Sequence, residues 1–174
     1  MASFVHHGAW DHRSRQNPAL NFIEKYHLLI DNLELRSTPF SSFFAPFAAY
    51  HDTKGNTHVT GSHIWAWLSQ QCSPFSQIRH DVVEARVVPD EEGRDIVYWE
   101  CLTHFQLKGD NNEIVVPRFF VWTIGPAPVG EGTDGRQIHK CRVFWDTGVI
   151  GRYVTERKRE QMRRVKKLEV RKKR

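Results

Sequence analysis

No apolar run in this 174-residue sequence approaches the roughly 18 residues that a membrane-spanning helix needs, so no membrane span is expected. The opening MASFVHHGAWDHRSR has neither the apolar core nor the small-residue cleavage site of a secretory signal, which points to a soluble, cytoplasmic protein. Cysteine is scarce. Cys72, Cys101 and Cys141 are odd in number and widely spaced, and no C-x-x-C pair occurs, which argues against both a disulfide framework and a zinc site. Reduced, buried thiols are expected instead. No internal repeat or low-complexity segment is present. Excess charge of either sign is small over most of the chain: residues 151–174 carry twelve Lys or Arg against three Glu, whereas the first 150 residues carry thirteen against seventeen. The basic end lacks interleaved aromatic residues, so base stacking is not available to it. Phosphate contacts alone would give it a weak polyanion contact.

What is abundant is apolar and aromatic surface, at 40% and 12% of residues, enough for one sizeable core and one domain. Three segments are expected: a flexible, His-rich arm over 1–16, a folded domain over 17–155, and a solvated basic extension over 156–174. Within that extension Met162, Val165 and Leu168 form a thin stripe. Asn17 before Pro18 reads as an N-cap and first-turn proline, and Leu20, Ile23, His27 and Ile30 follow at helical spacing. Thr38 before Pro39 suggests a short second helix, and AYHDTKGNTHVTG a hairpin turning at KGN. Helical spacing returns through Ile64, Trp67 and Leu68 until Pro74. The period then changes to two. SQIRHDVVEARVV, RDIVYWECLTHFQLK, EIVVPRFFVWTI and RQIHKCRVFWD are four long β-prone runs joined by short connections, which predicts an antiparallel meander. The fold class is α+β, a curved antiparallel sheet wrapped around N-terminal helices.

This element order, ending in IHKCRVFWDTGVIGRYV, resembles the SnoaL-like polyketide cyclase branch of the nuclear transport factor 2-like superfamily over residues 17–155. The resemblance implies a cone-shaped half-barrel and a small, cofactor-free acid/base enzyme of cyclase, isomerase or dehydratase type. It also implies that Asp146, after the aromatic-rich last strand, is the acid/base group. His80 and His104 lie in strands comparable to those bearing the histidines of scytalone dehydratase, whose tyrosine and aspartate on the first helix have no match in the sequence. Ketosteroid isomerase shares the fold, with its aspartate on a different strand.

A cone closed by helices makes an apolar pocket, and the chain offers Tyr50, Trp65, Trp67, Trp99, Phe105, Phe120, Trp122 and Trp145 to line it. Flat walls suit a hydrophobic or aromatic small molecule. The catalytic candidates are therefore Asp146, His80 and His104, and the substrate-binding candidates Tyr50, His51, Trp65, Trp99, Arg118, Phe120 and Trp122. Asp146 is also placed to cap the following helix, and Arg118 to pair on the outer face. His51, His58, His63 and Asp52 gather near the hairpin without standard metal spacing, so no metal is expected. An outer sheet face carrying Tyr98, Leu102 and Phe119 suggests a homodimer. The competing reading is a non-catalytic ligand-binding or dimerising adaptor of the same fold.

Overall fold

The computed structural model describes residues 3–172, without the side chains of 158, 160, 161 and 164–172. Asn17 accepts hydrogen bonds from the amides of Ala19 and Leu20 at 3.0 and 3.2 Å and starts helix α2, Pro18–Asp31. Its buried face carries Leu20, Ile23, Tyr26, His27 and Ile30, three and four residues apart, as an amphipathic helix requires. The expected second helix is only one 3₁₀ turn, Phe40–Ser42, whose first position has no side-chain cap. The hairpin is present as β2, Phe44–His51, and β3, Thr57–Val59. Asp52 closes it by accepting from the amides of Lys54 and Asn56. Helix α3, Gly61–Cys72, ends before Pro74 as read.

The four predicted strands are β4 (Phe75–Pro89), β5 (Asp95–Leu107), β6 (Glu113–Pro126) and β7 (Arg136–Phe144), each antiparallel to the next. With β1 (Phe4–His7) at one edge, they form the middle of a seven-stranded sheet in the order β1-β4-β5-β6-β7-β2-β3. The sheet is mixed rather than wholly antiparallel, because β2 returns alongside β7 in parallel. Helix α2 packs on its inner face, where Tyr26 meets Trp122 edge-on with ring centres 5.4 Å apart.

Both chain ends depart from the sequence expectation. The segment 1–16 is not a solvated arm: Phe4–His7 pair with β4 as a strand and cover its free edge. His6 is buried and stacks on Trp10, which in turn stacks on Trp99. A short helix α1, His12–Gln16, follows behind a reciprocal Asp11–Ser14 capping box, and Arg15 makes a two-pronged ion pair with the buried Glu24. At the other end, helix α4 runs unbroken through Thr147–Lys172. Asp110, in the turn between β5 and β6, accepts from the Tyr153 hydroxyl at 2.7 Å and from Arg157 at 2.6 and 2.7 Å. These partners, the Tyr153 hydroxyl first, hold its carboxyl at about 2. We therefore place the start of any separable extension after Arg157 rather than at residue 156. Met162 is exposed, and the side chains of Val165 and Leu168 lie outside those described.

Candidate functional site

Strand parity decides which side chains face α2. On β6, Ile114, Val116, Arg118, Phe120, Trp122 and Ile124 share one face, and on β5 Val97, Trp99, Cys101, Thr103 and Phe105 do. Together with α2, α3, the β2–β3 hairpin and the first turns of α4, these faces enclose a cavity of about 530 Å³. Its lining includes Tyr26, His27, Tyr50, Trp67, Cys72, His80, Phe105, Arg118, Phe120, Trp122 and Trp145. That volume and its aromatic walls suit a flat ligand of two or three fused rings.

His80 enters this cavity because β4 is irregular. Register shifts at Phe75–Gln77 and at Val82–Glu84 bracket it, and the second reverses the alternation set by Ala85 and Val87. The ring is almost fully buried, and its Nδ1 donates to Asp31 Oδ1 at 2.6 Å. The His80 amide donates to the other oxygen, Oδ2, at 3.2 Å. Asp31 is the last residue of α2, where a carboxylate opposes the helix dipole. Burial raises its carboxyl to about 6. Burial, and then the charge of Arg118, push the His80 imidazole well below its ordinary value. Near neutral pH the pair therefore consists of a carboxylate and a neutral imidazole with the proton on Nδ1. Nε2, with no protein partner among the described residues, is left as a base.

His27 lies beside this pair, 4.7 Å from His80 ring to ring. Its Nδ1 donates to the Ile23 carbonyl at 2.9 Å, and burial pushes its imidazole well down. Trp99 is fully buried behind both histidines, 4.0 Å from the His27 ring and 5.8 Å from His80, so it supports the cavity rather than lining it. Burial also pushes the phenols of Tyr26 and Tyr50 well up, which keeps them neutral, and lifts the Cys72 thiol to about 11.

Besides Trp99, four sequence candidates fall outside the cavity. Asp146 is exposed: Oδ1 accepts from the Gly148 amide at 2.7 Å and Oδ2 from Arg152 at 3.3 Å. The capping reading holds for it, and it does not line the cavity. His104 has the parity of Tyr98 and Leu102 and lies on the outer face, 3.0 Å from Asp81 and 3.0 Å from Glu113. His51 points away from the cavity to bond Thr57. Trp65 is core: its indole donates to the carbonyls of Leu35 and Thr38 and its ring stacks on Phe43. Tyr50, His80, Arg118, Phe120 and Trp122 do line the cavity. Asp31, His27 and Tyr26 were not read from the sequence as site residues. The signal for Asp31 was an acid at the dipole-opposed end of an apolar helix. Among the described residues no cluster of three or more His, Cys, Asp or Glu is placed to hold a metal ion, and no helix is long and apolar enough to cross a membrane.

Substitutions at the two positions separate the roles of these carboxylates. Asp146→Asn is expected to be silent in both ligand binding and stability, and Asp146→Ala to cost about 1 kcal/mol, the usual worth of a helix cap, in chemical denaturation. Asp31 acts in the opposite sense to most acids. A carboxyl raised from 3.8 to about 6 favours the fold at low pH, and that contribution fades as pH rises through the folded value. The two depressed histidines favour the fold above about 6.5 and lose that contribution on acidification. From pH 6 down to 4 the terms partly cancel in the wild type. Asp31→Asn removes the compensating proton, so its denaturation free energy should fall more steeply with acidification, by up to about 1.4 kcal/mol per pH unit. Parallel pH profiles for the two proteins would contradict the assignment.

No protein-family model and no curated protein sequence matches the chain. Solved structures do. Aln2 from a Streptomyces species superposes with a TM-score of 0.62 at 14% identity, covering 82% of this chain and 98% of its own. ActVI-ORFA from Streptomyces coelicolor gives 0.59 at 14% identity, over 74% and 94%. An NTF2-like protein with a cystatin-like fold from Novosphingobium aromaticivorans gives 0.59 at 14%, over 78% and 84%. With a mixed curved sheet closed over α2 and an aromatic cavity at its centre, this chain has the nuclear transport factor 2-like fold.

Proposed function

We propose that the chain is a SnoaL-like small-molecule enzyme that works by general acid/base chemistry on a polyketide-like or other aromatic carbonyl compound. The observation that carries this reading is the Asp31–His80 pair opening onto an aromatic cavity. Asp31 fixes the tautomer, and Nε2 of His80 removes a proton from the carbon next to the carbonyl, leaving an enolate. The same imidazolium can return that proton to a departing β-hydroxyl, releasing water, or to another carbon, completing an isomerisation. Attack of the enolate carbon on a second carbonyl would instead close a ring. Of the two histidines compared with scytalone dehydratase, His80 alone lines the cavity, whereas His104 lies on the outer sheet face.

The test needs no knowledge of the natural substrate. Incubated in deuterium oxide with β-tetralone, a flat bicyclic ketone, the protein should accelerate exchange of the α-protons as followed by NMR. No acceleration by the protein across pH 6–8, with β-tetralone shown to bind, would count against catalysis. It would favour the second reading, a ligand-binding or dimerising module. That reading has its own observation: Tyr98, Leu102, Val115, Phe119 and Phe144 are all more than a third exposed on the outer sheet face. We infer a homodimer through this face, and a polyanion contact through the basic end of α4. Light scattering and salt-dependent heparin retention test the two.

A further inference from the structure

Arg118 carries a charge inside the cavity that no acidic side chain among the described residues answers. It projects from the inner face of β6 with its guanidinium carbon 4.6 Å from the centre of the Phe120 ring and 5.5 Å from that of Trp145. Its Nε is buried without a hydrogen-bond partner, and among the described residues no carboxylate lies within ion-pair distance. Other arginines are paired: Arg15 with Glu24, Arg79 with Asp81, Arg94 with Asp90, Arg136 with Asp95, Arg157 with Asp110. The acids nearest the cavity are committed elsewhere. Asp31 is engaged by His80, and Asp52 by the amides of its turn and the Asn56 side chain. An arginine held inside an aromatic cavity without a counter-charge is costly, and two cation–π contacts offset only part of that cost.

Pro117, beside it, sits where β6 overruns β7, whose pairing begins only at Phe119. The proline is tolerated at that edge, so the alternation that turns Arg118 inward is undisturbed.

We propose that the cavity selects flat ligands bearing a carboxylate, which Arg118 receives through the edge of its guanidinium while Phe120 and Trp145 flank it. The proposal rests on the cavity being the ligand site and names the class of ligand. Aromatic rings beside the guanidinium favour in-plane, two-pronged recognition of a carboxylate, a geometry an amide does not match. Neutralising Arg118 also relieves the charge that, with burial, disfavours a proton on His80. An acid in the cavity would therefore make His80 a stronger base, coupling ligand choice to the reactive pair.

The test compares 2-naphthoate with 2-naphthamide by isothermal calorimetry on the full chain. Wild type should bind the acid ~10- to 100-fold more tightly than the amide, the range for a charge-assisted hydrogen-bonded pair. Arg118→Met should abolish that preference while keeping the affinity for the amide, and Arg118→Lys should keep part of it. Arg118→Met should also raise the thermal midpoint without ligand, because an unanswered buried charge has been removed. Equal binding of both probes by wild type, binding of neither, or a preference that survives Arg118→Met would overturn the proposal. Equal binding leaves the cavity as a ligand site, whereas acid selectivity without proton exchange from β-tetralone sustains this inference and removes the catalytic one.

Discussion

If the chain is the acid/base enzyme proposed above, replacing His80 with asparagine is expected to slow turnover by about 10²–10⁴-fold, the size of a positioned acid/base contribution. The asparagine amide can occupy the place of Nδ1 and still donate to Asp31, so the fold and the affinity for a flat ligand should survive. What is lost is the second nitrogen, the only atom of that side chain able to take a proton near neutrality. Asp31→Asn should approach the same loss by another route. An amide at position 31 can donate to Nδ1, which drives the imidazole proton to Nε2 and leaves no base facing the substrate. The two variants should therefore agree in kcat and differ in pH dependence. If either keeps wild-type rates of proton exchange, His80 is not the base.

The largest stability effect is expected at Trp99. Its side chain is wholly buried, ring to ring with His27, Phe120 and His80, and Trp10 stacks on it from the N-terminal segment. Trp99→Ala should cost about 3–5 kcal/mol, as truncating a large buried aromatic does. That corresponds to a fall in thermal midpoint of roughly 6–20 °C for a chain of this size. Trp99→Phe, which keeps most of the stacked area, should lose well under half as much. A small loss in Trp99→Ala would mean that Trp10 and the histidines collapse into the space.

Which of these features the sequence reveals depends on how local their causes are. The Asn17–Pro18 helix start, the stop before Pro74, the hairpin at Asp52 and the four long strands are set by residues within one turn of each other, and all were readable. Arg118 was left between the cavity and the outer face, although β6 alternates without interruption from Ile114 to Trp122. The same alternation applied to β5 would have put His104 on the outside with Tyr98 and Leu102. His80 was harder, because strict alternation from Val87 places it on the wrong face and only the shift at Val82–Glu84 corrects this. Asp31 has its partner 49 residues away, and β1 is a four-residue strand whose existence depends on the unpaired edge of β4. Neither leaves a periodic trace. Asp146 was misjudged because an acid after an aromatic strand looks the same whether it caps a helix or faces a ligand.

The continuity of α4 has a mechanical consequence. Thr147, Ile150, Gly151 and Val154 form part of the cavity wall, Tyr153 and Arg157 are pinned on Asp110, and the same rod continues to Lys172. At 1.5 Å of rise per residue, the stretch beyond the pin is about 22 Å long, against about 15 Å before it. Asp110 thus acts as a fulcrum, with the basic residues on the long arm and the wall of the cavity on the short one. If the rod stays straight, a load on the far arm would reach the wall as a tilt. A partner that held the charged end would then bear on the wall of the cavity as well.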